Sequence, residues 1–221
     1  MLKHESLIIS YKKSRCALHP TLDARDLLRN HGWVYDLIES AYIKSVDLLA
    51  LEDIDLYISL DDDWLVMPEF GFGGITYSKN SLGLSLSRAR LNRSRYQIEF
   101  PALIAHELSH AYQQAHNPVL NWDNRTFEED ILSEGSAQVF QKIVYPKSSL
   151  YVNQEIVADE DVWLKKIRPL LHKTRNEFDR SGYMFGGEGT DKPRWIGYTL
   201  GYLICSRRTM PIQDLLLLQK I

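Results

Sequence analysis

The stretch from Pro101 to Gln114 constrains the chain more than any other, because it holds the pattern H-E-x-x-H among good helix formers. On an α-helix, positions four apart lie on one face, about one turn from each other. His106 and His110 can therefore aim two imidazoles at a single point, the geometry that a bound Zn²⁺ requires. Glu107 lies beside that face, where its carboxylate can take a proton from an activated water. The competing reading is a pair of packed histidines beside a solvated glutamate, and residues further along decide between the two.

A catalytic zinc commonly takes three protein ligands and leaves a position for water. Three acids downstream compete for the third place: Glu128, Glu129 and Glu134. Thr126-Phe-Glu-Glu129 reads as a capping box, so the first two fall in the opening turn of a helix, where a carboxylate satisfies free N–H groups. Glu134 stands deeper, within Leu132-Ser-Glu134-Gly-Ser-Ala137, where an acid on an apolar helix is costly unless neutralised. It is the better ligand. The small residues Gly135, Ser136 and Ala137 would let this helix approach the H-E-x-x-H helix closely. Gln138, one turn on from Glu134, is a candidate to orient a ligand or else a plain surface residue.

H-E-L-S-H at 106–110 followed by L-S-E-G-S-A at 132–137 resembles the gluzincin clan of zinc peptidases, whose second motif often reads L-x-E-G-x-A. With W-x-G-Y-x-x-G-Y at Trp195 to Tyr202, the chain also resembles a bacterial family of predicted zinc-dependent proteases. The likeness covers residues 100–145 and 193–206, and more weakly 74–87. It implies a zincin-like fold, one Zn²⁺ held by His106, His110 and Glu134, Glu107 as general base, and a peptide or protein substrate. The loop before Glu134 is longer than in common aminopeptidases, and no G-A-M-E-N-like segment for a free α-amine is present. Both departures speak against aminopeptidase activity.

Peptide hydrolysis also needs a donor for the oxyanion that develops on the attacked carbonyl. Tyr198 and Tyr202 share a face of a helix opened near Pro193, and Gly197 and Gly201 would let that helix pack tightly. Tyr198 is the first candidate, being nearer the glycine-rich stretch 182–189, and Tyr202 the second. The alternative for each is a core tyrosine with a satisfied hydroxyl. His172 and Arg194 are weaker candidates.

The expected fold is α+β: a small antiparallel sheet packed beside the H-E-x-x-H helix, with a mainly helical C-terminal half. A single domain is expected over residues 1–221, the sheet within about 53–100 and the helical part over 101–221. Strands are read at 54–60, 74–77 and 82–87. Helices are read at 24–29 (capped by Asp23), 34–51, 101–116 (stopped by Pro118), 126–145, 160–178, 193–205 and 212–218. The strand at 82–87 alternates leucines with small residues, which marks it either as an open edge that aligns an extended substrate or as ordinary cover.

A net charge of −3 argues against a nucleic-acid partner. Arg88, Arg90, Arg93 and Arg95 form a local basic patch that reads as a solvated loop. Cys16 and Cys205 are far apart and in no C-x-x-C arrangement, as in a reduced cytoplasmic protein. No signal peptide or membrane span is legible. Two rival readings use the same residues: a zinc-binding interaction domain without turnover, and a metal-free helical protein carrying the motif by chance.

Overall fold

The computed structural model describes residues 7–91, 93–117, 124–187 and 189–220. Two strands with no clear sequence signature come first: β1 (Leu7–Tyr11) and β2 (Ser14–Pro20), joined by a tight turn with Lys12 at positive φ. Helices α1 (Leu22–Asn30) and α2 (Gly32–Leu48) follow, then β3 (Ile54–Leu60), β4 (Phe72–Ser78) and β5 (Ser81–Leu86). The strands form one five-stranded sheet in the order β1-β2-β3-β5-β4. The sheet is mixed, since the two inner pairings are parallel and the two outer ones antiparallel.

β5 is therefore an interior strand, and its expected role as a substrate-aligning edge is corrected: the rim on that side is β4. Leu82, Leu84 and Leu86 are buried, and so are Gly83 and Ser85 between them. A Cβ at Gly83 would stand 2.7 Å from the Tyr77 hydroxyl oxygen, so the small residues make room for a neighbouring side chain of β4. Local alternation reports that a face is small but not which strand lies beside it.

The H-E-x-x-H helix, α3, spans Arg93–His116 and so begins well before Pro101, the expected first turn. An interior proline normally breaks a helix, because it removes one N–H and crowds the preceding turn. Aromatic packing on that turn overrides the effect. Tyr96 and Phe100 are wholly buried, with ring centroids 4.9 and 5.4 Å from that of Phe72 on β4, and the Tyr96 hydroxyl donates to the Gly71 carbonyl at 2.5 Å. α3 ends at His116 as expected, while Pro118 lies outside the described residues. Of the arginine patch, Arg88 pairs with Asp23 and Asp61, and Arg95 stacks over Phe70.

The remaining helices are α4 (Phe127–Val144), α5 (Gln154–Ala158), α6 (Glu160–Ile167), α7 (Arg180–Met184), α8 (Ile196–Ser206) and α9 (Ile212–Leu216). The capping box at α4 forms in both directions: Thr126 N–H donates to Glu129 Oε2 at 2.8 Å, and Glu129 N–H to Thr126 Oγ1 at 3.3 Å. The helix expected over 160–178 stops at Ile167, where Pro169 enters a 3₁₀ turn.

The chain divides into two compact units, Met1–Ala115 with Gln141–Ser148, and His116–Phe140 with Ser149–Ile221. The first holds the sheet with α1, α2 and α3. The core of the second gathers Phe127, Ile131, Ile156, Ile167, Met184, Ile196 and Leu200. Cys16 and Cys205 are free and buried. Among the described residues no helix is long and apolar enough to cross a membrane.

Candidate metal centre

Around the motif, α3 is buried on every side: the apolar Ala102 to Ala105, then His106, Glu107 and His110 at 2%, 5% and 5% exposure. Polar side chains in such a place need partners. His110 Nδ1 lies 2.8 Å from Gln113 Oε1, one turn on. An amide oxygen only accepts, so Nδ1 carries the proton and Nε2 keeps its lone pair. That nitrogen points at His106 Nε2, 3.1 Å away. Two imidazole nitrogens on one tetrahedral zinc stand roughly 3.3 Å apart, given Zn–N bonds of about 2.0–2.1 Å.

The third donor comes from α4. The ligand atoms of His106, His110 and Glu134 all lie within 4.8 Å of one another, and Glu134 is only partly buried. Of the acids that competed in the sequence, Glu129 is spent on the capping box. The donor set is two imidazole nitrogens and one carboxylate, which suits a single Zn²⁺.

Glu107 is held from the rim strand. Thr76 Oγ1 on β4 is 2.8 Å from Glu107 Oε2 and 2.8 Å from the Glu107 carbonyl oxygen. Two residues back, a Cβ on Gly74 would fall 2.8 Å from Glu107 Cγ. Sequence reasoning does not single out Thr76, Gly74 or Gln113. Gln113 alone leaves a signal there, being three residues after His110 and hence on the same helical face.

Tyr198 is half-buried on α8 in an aromatic enclosure, with ring centroids 4.8 Å from Tyr151, 5.3 Å from Trp195 and 5.7 Å from Phe185. Tyr151 and Trp195 both adopt positive φ, which is uncommon for bulky residues. Gln138 does not reach for a metal ligand; its Nε2 donates to the Tyr198 carbonyl at 2.7 Å and ties α8 to α4. Gly135 likewise serves the packing of α8: a Cβ there would lie 2.2 Å from the Gly201 carbonyl. Tyr202, one turn beyond Tyr198, is partly buried. Arg194 stacks on the Trp195 ring at 4.1 Å.

Two histidines one helical turn apart and a glutamate from a second helix form a gluzincin-like metal triad, with a mixed sheet packed against the first helix. The chain belongs to the family described as "Predicted Zn-dependent protease (DUF2268)", whose model matches residues 34–210. A crystal structure of an aminopeptidase N family protein from Idiomarina loihiensis is similar over 96% of this chain, with a TM-score of 0.52 and 15% identity. That likeness is one of fold, and the chain spans 40% of the larger protein. No curated protein matched the chain.

Proposed function

We propose that the chain is a peptidase that hydrolyses peptide bonds with an activated water, using one zinc ion held by His106, His110 and Glu134. The observation that carries this is the convergence of those three ligand atoms within 4.8 Å. A zinc ion bound there supplies Lewis acidity, making a water able to lose its proton near neutral pH and polarising a carbonyl. Glu107, oriented by Thr76, takes that proton and passes it to the leaving amine nitrogen. Tyr198, steadied by its aromatic neighbours and by Gln138, donates its hydroxyl to the oxygen of the attacked carbonyl, with Tyr202 as the second candidate.

The substrate is a peptide or protein segment, laid in extended form along β4. Its inner edge pairs with β5, and among the described residues its outer edge is met by an isolated bridge from Met67 to Phe72, at the start of the strand. Beyond that bridge the strand runs past Gly74 and Thr76, the two residues in contact with Glu107. A rim strand so placed offers backbone groups to an extended chain. The setting is cytoplasmic, in keeping with two free, buried thiols, and no nucleic acid takes part.

The test is Glu107→Gln in protein loaded with zinc. Loss of a general base lowers turnover by roughly two to four powers of ten, while zinc content stays at the parent level. Parental cleavage by this variant, or cleavage that survives a chelator, would overturn the proposal.

A further inference from the structure

The second unit carries a charged cluster that the proposed chemistry leaves unused. Asp130 stands one turn before Glu134 on α4, is 3% exposed, and pairs through Oδ2 with Nε of Arg180, the first residue of α7. Arg125, also 3% exposed, adds a second guanidinium whose charge bears on both Asp130 and Glu134. The charge of Arg180 bears on Glu134 as well, and on the Tyr198 phenol. Burial raises the Asp130 carboxyl above its usual range, against the pull of both arginines. A buried ion pair is a weak source of stability, since well-packed apolar residues of the same volume do as well or better.

Arg180 has donors to spare. A guanidinium carries five N–H groups in a planar fork. Here Nε is committed to Asp130, and among the described residues Nη1 and Nη2 make no hydrogen bond, while the side chain keeps 18% of its surface exposed. Asp130 fixes the plane of the fork without using its outer prongs. The carboxylates whose charge bears on Arg125 are those of Asp130, Glu134 and Glu129, so Arg180 is the guanidinium of the cluster whose outer prongs remain open.

We propose that Arg180 is a specificity-determining residue that receives a substrate carboxylate on its two Nη groups. Peptides with negative charge close to the scissile bond are thereby selected. That they are then cleaved rests on the zinc-peptidase reading; that they bind does not. The carboxylate is either an Asp or Glu side chain or the peptide's own C-terminus, since the fork accepts both.

The experiment measures calorimetric binding to zinc-loaded Glu107→Gln protein. Its probes are short, otherwise neutral peptides in which a single Glu or Gln is stepped along the chain, each made as free acid and as C-terminal amide. One carboxylate form is expected to bind about tenfold or more tighter than its neutral counterpart, as for a hydrogen-bonded charged pair. Loss on Glu→Gln exchange assigns the side chain, and loss on amidation assigns the C-terminus. Added to Glu107→Gln, the double change Asp130→Asn with Arg180→Gln removes both charges of the pair together, and, with folding checked by thermal melting, the preference is expected to fall to about twofold or less. Arg180→Lys, which keeps the pair's charge but not the fork, is expected to retain only part of the preference. Equal binding of acidic and neutral peptides, or a preference unchanged in either variant, overturns the proposal. A preference that depends on Arg180 in a protein that cleaves nothing when Glu107 is restored would instead overturn the peptidase reading alone.

Discussion

The Thr76 hydroxyl on β4 sits 2.8 Å from Glu107 Oε2 on α3, so the rim strand holds the carboxylate proposed as the base. The same oxygen is 2.8 Å from the Glu107 backbone carbonyl, and a single O–H serves one acceptor at a time. Thr76→Val keeps the shape and removes the hydroxyl. It is expected to lower kcat about tenfold or more, in line with the loss of a partner that orients a reacting group, while zinc content and KM stay near parental. Thr76→Ser should recover most of the rate. Steady-state kinetics on both variants checks this, and a Val variant as fast as the parent would remove Thr76 from the account.

Gly74 tests the same contact by crowding. A Cβ there would meet Glu107 Cγ at 2.8 Å, and Cγ lies too near the backbone to swing clear. The φ of Gly74 is not among the positive values, so alanine fits the backbone and the effect falls on the Glu107 side chain. Gly74→Ala is expected to reduce kcat by about tenfold or more through a misplaced base, with zinc still bound. Unchanged kinetics would contradict the placement of Glu107.

Gln113 sets the tautomer of His110 through the 2.8 Å contact at Nδ1. Gln113→Leu removes that acceptor, and zinc affinity is expected to fall by about 10–100-fold, as for other partners of metal-bound histidines. Competition against a fluorescent chelator measures it directly. Parental affinity would show that His110 is oriented by packing alone.

Most of the proposed metal site is legible in the sequence because it is local. His106 and His110 are fixed by one helical turn, and the capping box removes Glu129 from competition for the ligand role. The proposed support of Glu107 is not legible, since Thr76 and Gly74 approach it from a strand far away in the chain. The same limit explains the misread edge: β5 and β4 both alternate, and only the long-range pairing with β3 makes β5 internal. Sequence alone starts α3 at Pro101 because proline is common in a first turn, whereas the packing of Tyr96 and Phe100 on Phe72 carries the helix through it. Gly135 packs closely on Gly201 of α8, a partner that the small-residue pattern by itself does not name.

That packing makes its own forecast. A Cβ on Gly201 would lie 2.3 Å from the Ile131 carbonyl oxygen and 3.0 Å from Gly135 Cα, both rigid backbone atoms. Gly201→Ala is expected to destabilise by about 1–3 kcal/mol or more through overpacking. Gly32, with nothing within 4 Å of its would-be Cβ, is the control. Gly32→Ala on α2 should hold or raise stability by up to about 1 kcal/mol. Thermal melting separates the pair, and equal Tm values would contradict the close approach of α4 and α8.

The most direct test of the central claim is the zinc content of untagged protein, measured by elemental analysis beside Glu134→Ala. The account expects one zinc per chain in the parent, and in the variant a large loss of zinc after dialysis against a moderate chelator. A parent purified without zinc that fails to take it up, or a variant that keeps as much as the parent, would contradict it.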